Sequence, residues 1–190
     1  MKKPAHPHPR NARSAWTPCR RFFALCLVAG VFVAGCDDVP ITTVSYQVED
    51  VQTFATGVLG QGPMLVVVRG HAHDVPAADT EAAVLNALTG ATQWIAEPRF
   101  TTHSEESASL SMRLVVVLND RPPEPCLGDP SGGPPQPGGR VELTMTFCSG
   151  ETVLSKVRGR IGRTDGLDDP RFARLIRQAT VDLFVSGHAS

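Results

Sequence analysis

The sequence predicts an α+β domain: a mostly antiparallel sheet of about four to five strands with two helices packed against it. Three observations carry that expectation. Apolar runs rich in β-branched residues recur as "MLVVVR" (64–69), "SLSMRLVVVLN" (109–119) and "RVELTMTF" (140–147). A strand-like pair at 140–161 is separated by a glycine-containing turn. The segment "DDPRFARLIRQATVDLFVSG" (168–187) carries an apolar stripe at helical spacing.

Taken in chain order, residues 44–60 are ambiguous. Val44, Tyr46 and Val48 alternate as in a strand, whereas Val48, Val51, Phe54, Ala55 and Val58 suit a helix. Residues 64–70 read as a short buried strand. "PAADTEAAVLNALTG" (76–90) reads as a helix, with Pro76 near its start, good helix formers inside and Gly90 at its end. Residues 92–102 are expected to be extended. In 109–119, Met112, Leu114, Val116 and Leu118 share one face and Val115 and Val117 the other, which predicts a central strand covered on both sides.

The pair at 140–161 is expected to be a hairpin. Val141, Leu143, Met145 and Phe147 face one side, matched by Val153, Val157 and Ile161. Placing Phe147 opposite Glu151 leaves the loop Cys148-Ser149-Gly150 and sets Glu142 opposite Lys156. In the last helix Asp169 is the expected cap and Pro170 the first helical residue. Phe172, Leu175, Ile176, Ala179 and Leu183 form its buried stripe.

Charge is unevenly spread. Residues 1–35 hold six basic residues and no acid, while residues 36–190 hold 12 basic and 19 acidic residues, a formal charge of 12 − 19 = −7. An acidic body without a basic stripe in sequence argues against nucleic-acid binding. The basic leader precedes "FFALCLVAGVFVAG" (22–35), an apolar run of 14 residues, short for a membrane-spanning helix and suited to a signal peptide.

The residues Val33, Ala34, Gly35 and Cys36 resemble the lipobox of bacterial lipoprotein precursors. The resemblance covers residues 1–38. It implies a signal peptide at 1–35, lipid attachment through the Cys36 sulfur, a lipidated tether at 36–43 and a single domain at 44–190. A thiolate is the side chain best suited to take a diacylglyceryl group as a thioether. Leucine is commoner where Val33 stands. The implied location is the periplasmic side of a cell membrane, and the implied partners are the membrane itself and another envelope protein. Asp37 and Asp38 follow the cysteine, a feature that in some enteric bacteria retains a lipoprotein in the inner membrane. "CRRFFAL" (19–25) resembles a twin-arginine export signal, but an ordinary basic leader is the preferred reading.

With Cys19 and Cys26 in the leader and Cys36 taken by lipid, Cys126 and Cys148 remain, and in an oxidising compartment they are expected to pair. If 110–118 pairs antiparallel with 141–147, the proline-biased path to Cys126 must run back along the sheet, about 22 Å for seven extended residues. The loop so closed would contain the flexible segment "GDPSGGPPQPGG" (128–139).

Chemistry-bearing constellations are sparse. In "RGHAHD" (69–74), His71 and His73 would share one side of an extended chain and could hold a metal, with Asp74 or His103 completing the set. Lys156, Arg158 and Arg160 line one face of a strand and could bind an anion, although a solvated charged face is commoner. Asp168 and Asp169 pair as carboxylates, but capping accounts for them. No GxSxG element occurs, "GRIGRTDG" (159–166) lacks GxGxxG spacing, and "SGGPPQPGG" (131–139) is broken by proline. No cofactor and no catalytic residue is assigned. The expected function is a non-catalytic binding or envelope-assembly accessory, with a metal-binding protein using His71 and His73 as the alternative.

Overall fold

The structure, a computed structural model, describes residues 39–185, which lie within one compact unit. The chain forms strand β1 (Ile41–Gln47), helix α1 (Val51–Gln61), β2 (Met64–Arg69), α2 (Ala77–Ala91) and β3 (Phe100–Thr101). It continues through β4 (Ser109–Leu118), β5 (Val141–Ser149), β6 (Thr152–Ile161) and α3 (Pro170–Phe184).

The six strands form one sheet in the order β1-β6-β5-β4-β2-β3. The pairs β1–β6, β6–β5 and β5–β4 are antiparallel, and β4–β2 and β2–β3 are parallel. The expectation of a mostly antiparallel sheet of four to five strands with two helices is therefore corrected: the sheet is mixed, it has six strands, and three α-helices cover it. The reason is physical. A helix between two strands provides the long crossover that parallel neighbours need, and α2 does this between β2 and β3. Only Phe100 and Thr101 of the extended segment join the sheet, too short a run to be recognised by periodicity.

Residues 41–61 resolve their ambiguity by using both periods in succession, as β1 and then α1. Asp50, at φ 60°, makes the corner between them. Since β1 starts at Ile41, residues 41–43 belong to the sheet and not to a tether.

The helices share one face of the sheet. Met64, Val66 and Val68 of β2, Leu114, Val116 and Leu118 of β4, and Val141, Leu143, Met145 and Phe147 of β5 point into a single core. Val84 and Leu88 of α2 and Phe172, Leu175, Ile176 and Leu183 of α3 meet them there. Phe184 packs edge-on against both Phe147, at 5.3 Å between ring centroids, and Trp94, at 6.1 Å. Gly159 leaves the space that the Leu175 side chain fills.

α3 begins where its sequence says it should. The Asp169 carboxylate accepts the Arg171 backbone N–H at 2.9 Å, and the Arg171 guanidinium returns a fork to both of its oxygens. That side-chain hydrogen bonding holds the Asp169 carboxyl well below the usual carboxylate range.

The hairpin register differs from the expectation. Glu142 faces Arg160, and Phe147 faces Ser155. The loop is the two-residue Gly150-Glu151, with Gly150 at φ 59°, and a bulge follows at Phe147/Cys148. A positive φ at the first loop position alone marks a turn that glycine supplies without steric cost. The expected and observed registers differ by an even number of residues below the bulge, so Val157 and Ile161 still face the core, whereas Val153, beyond the bulge, is turned to the other face.

No helix among the described residues is long and apolar enough to cross a membrane.

Candidate anion-binding face

Among the described residues, no α-helix covers the second face of the sheet. Over its middle lies the connection 119–140, which returns along β4 and β5. Val115, Val117, Cys126 and Cys148 form a small buried cluster there, with Val67 and Val153 at its margin. Cys126 and Cys148 are joined by a disulfide across a Cα–Cα distance of 5.7 Å. The returning chain is fastened on both sides of Cys126. Arg113 Nη2 donates to the Cys126 carbonyl at 2.6 Å, and Lys156 Nζ donates to the Pro122 carbonyl at 3.3 Å. Partial burial, and after it the neighbouring Arg158 charge, lowers the Lys156 ammonium pKa.

The connection is tied to the sheet at several points. Its Gly132-Gly133 step is wedged between the ends of β2 and β4. Gly133 N–H donates to the Leu118 carbonyl at 2.9 Å, and His71 N–H donates to the Gly133 carbonyl at 3.1 Å. A side chain at Gly132 would meet the Gly70 backbone. Asn119, at φ 56°, completes the joint. Its amide donates to the carbonyls of His71 at 2.7 Å and Pro134 at 3.1 Å, while its oxygen accepts Glu142 N–H at 2.9 Å. These contacts bring together backbone from two connections and from β4 and β5, which no local sequence pattern announces.

The same joint decides the fate of the two histidines. β2 ends at Arg69, and Gly70 at φ 82° turns the chain out of the strand, so His71 and His73 do not share an extended side. His73 Nε2 lies 2.9 Å from the Thr164 hydroxyl. That hydroxyl donates its only proton to the Gly139 carbonyl at 2.9 Å, so His73 Nε2 must be the donor to it and offers no lone pair to a metal. Asp74 is exposed, and His103 lies beyond β3 beside Glu105. Among the described residues no three histidine, cysteine, aspartate or glutamate side chains converge on a metal position. Cys36 lies outside the described residues. Asp168 takes no part in the cap that Asp169 forms.

The uncovered end of this face belongs to β1 and β6. A cleft of about 290 Å³ opens there, lined by Thr43, Asp120, Arg121, Glu142, Arg158 and Arg160 among others. Alternation along β6 puts Lys156, Arg158 and Arg160 on the same side. Register then places Tyr46 beside Lys156, Thr43 beside Arg158, and Ile41 beside Arg160. Glu142 lies opposite Arg160 but is taken by Arg121, whose Nε and Nη2 reach it at 3.0 and 2.7 Å. Arg158 and Arg160 are exposed and have no side-chain hydrogen bond or ion pair among the described residues. Two free guanidiniums over a cleft can hold phosphate or carboxylate oxygens.

No protein-family model and no curated protein matches the chain. Solved structures that resemble it include two of the PelC dodecamer from Paraburkholderia phytofirmans, one of them a point variant. They share 16% sequence identity with this chain at TM-scores of 0.43 and 0.41, covering 78% and 74% of this chain and 100% and 94% of theirs. At that level of similarity no residue role is carried over to this chain.

Proposed function

We propose that this chain is a membrane-anchored periplasmic lipoprotein that acts as a non-catalytic binding or envelope-assembly accessory. The observation that carries this reading is "VAGC" at 33–36, placed directly after a basic leader and an apolar run of signal-peptide length. Two structural facts are in keeping with it. The Cys126–Cys148 disulfide suits an oxidising, exported environment. The sheet begins at Ile41, only five residues beyond Cys36, so a lipid on that cysteine would hold the domain close to a bilayer. A diacylglyceryl group with a further acyl chain supplies the two or more chains that stable anchoring needs, at about 0.8 kcal/mol per buried CH₂.

The test is the mass and lipid content of the mature chain. Metabolic labelling with palmitate should mark the wild type, and its mass should correspond to a chain starting at Cys36 plus lipid. Cys36→Ala should take up no label and remain unanchored. An unlabelled wild-type chain, or an unchanged mature mass in the variant, would falsify the anchor. The accessory role is tested by crosslinking in intact envelopes. A discrete envelope protein should be captured repeatedly, and repeated capture of nothing overturns that part of the reading.

A further inference from the structure

We propose that the uncovered β1/β6 face is the surface by which the domain lies on anionic lipid headgroups. This inference rests on the lipid anchor at Cys36 and adds an orientation to it. Three observations point to a bilayer as the occupant.

The first is where the chain emerges. Ile41 is the fifth residue beyond Cys36, a reach of about 17 Å when fully extended. Ile41 is in register with Arg160, so the anchored end enters the sheet beside the basic cleft. The second is composition. Arg158 and Arg160 line the face, with Lys156 on the same side of β6 but held by the Pro122 carbonyl; Ile41 and Tyr46, 52% and 51% exposed, lie in register with Arg160 and Lys156, and Val39, 60% exposed, precedes β1. Cations interleaved with aliphatic and tyrosine side chains suit the headgroup boundary, where an apolar body and a polar tip are both satisfied. The third is contrast. Residues 36–190 carry a formal charge of 12 − 19 = −7. An anionic membrane repels such a domain in most orientations, and the field is felt only within a Debye length of about 8 Å at physiological salt. The face carrying the free arginines can approach that closely, because phosphate oxygens take the place of the carboxylates those arginines lack.

Tyr46 provides the readout, since it is the only tyrosine in the chain. The lipidated chain is incorporated into phosphatidylcholine vesicles with and without phosphatidylglycerol. Iodination of Tyr46 by an added peroxidase, which cannot enter the contact, is followed by mass spectrometry. Iodination is expected to slow by about tenfold or more in the anionic vesicles, and to recover in high salt and in Arg158→Glu/Arg160→Glu. The charge-matched Arg174→Glu/Arg177→Glu, on exposed positions of α3, is expected to stay protected. Unchanged thermal unfolding of both variants shows that they fold. Equal iodination in the two vesicle types by a chain that floats with both overturns the proposal and leaves the anchor standing. Protection that is the same in detergent, in neutral and in anionic vesicles also overturns it, in favour of a second copy on the face. A chain that carries no lipid and floats with neither vesicle removes the anchor and the proposal together.

Discussion

On one face of the sheet three helices bury Phe147, Phe172 and Phe184 in a continuous apolar core. On the other, the connection 119–140 covers a cluster of a few side chains, held by a disulfide, an asparagine and a run of close glycine contacts. The first face is closed by apolar area. The second is closed by covalent and hydrogen-bonded fastening, and only in part, since its β1/β6 end stays open. Stability and surface function are thereby separated: substitutions on the helical face should act on unfolding, and those at the open end should not.

The largest effect that tests this contrast is Phe147→Ala. Phe147 is fully buried and touches Phe184, so its loss should cost about 3–5 kcal/mol, read from the urea midpoint. A cost near 1 kcal/mol would mean that the helical face is not the main source of stability. Next comes the fastening of the other face. Cys126→Ser/Cys148→Ser should lower stability by about 3 kcal/mol, from the loop-closure term for a bridge spanning 22 residues. The variant should unfold identically with and without reductant, whereas the wild type should be weakened by reductant; a wild type indifferent to reductant contradicts this.

A smaller effect, about 1–2 kcal/mol near neutral pH, is expected for Asp169→Asn, which keeps a capping oxygen and loses the ion pair with Arg171. The sign follows from the lowered carboxyl pKa. The stabilisation is present above the unfolded value of about 3.9 and is lost as pH falls below it, toward the folded value. Unfolding curves of wild type and variant should therefore converge on acidification; parallel curves from pH 7 to pH 2 would refute the assignment. Smallest of all, Arg158→Glu/Arg160→Glu should change stability by no more than about 0.5 kcal/mol, since both side chains are exposed and unpaired.

Elements with long, clean periods were legible in the sequence. α3 announces itself by its cap, its first-turn proline and its stripe, and β4 by apolar residues on both of its sides. Parallel pairing was not legible, because a short apolar run such as 64–69 reads the same whatever its neighbour's direction. Hairpin register was missed because a shift by an even number leaves the apolar pattern unchanged, so Glu142 could be matched with Lys156 as well as with Arg160. The expected placement of His71 and His73 on one side of an extended chain was not met, because the left-handed Gly70 turns the chain out of the strand before them. The basic side of β6 was visible as alternation. That Arg158 and Arg160 are free was not, because this depends on Arg121, from a distant connection, taking Glu142.

One feature of the topology bears on how the chain assembles in time. β4, β5 and β6 follow one another and pair as neighbours, so their contacts close over short stretches of chain. β1 pairs with β6 across a separation of 160 − 41 = 119 residues at Ile41–Arg160, and Thr42 reaches Asp182 of α3 from the same strand. Loop-closure entropy places such contacts late in folding. Until β1 docks, β6 is itself an edge, with a row of unpaired backbone groups open to the β1 of another molecule. β1 is thus the last piece of the sheet to be set, and holding each chain apart from its neighbours during that interval favours intramolecular closure over strand exchange.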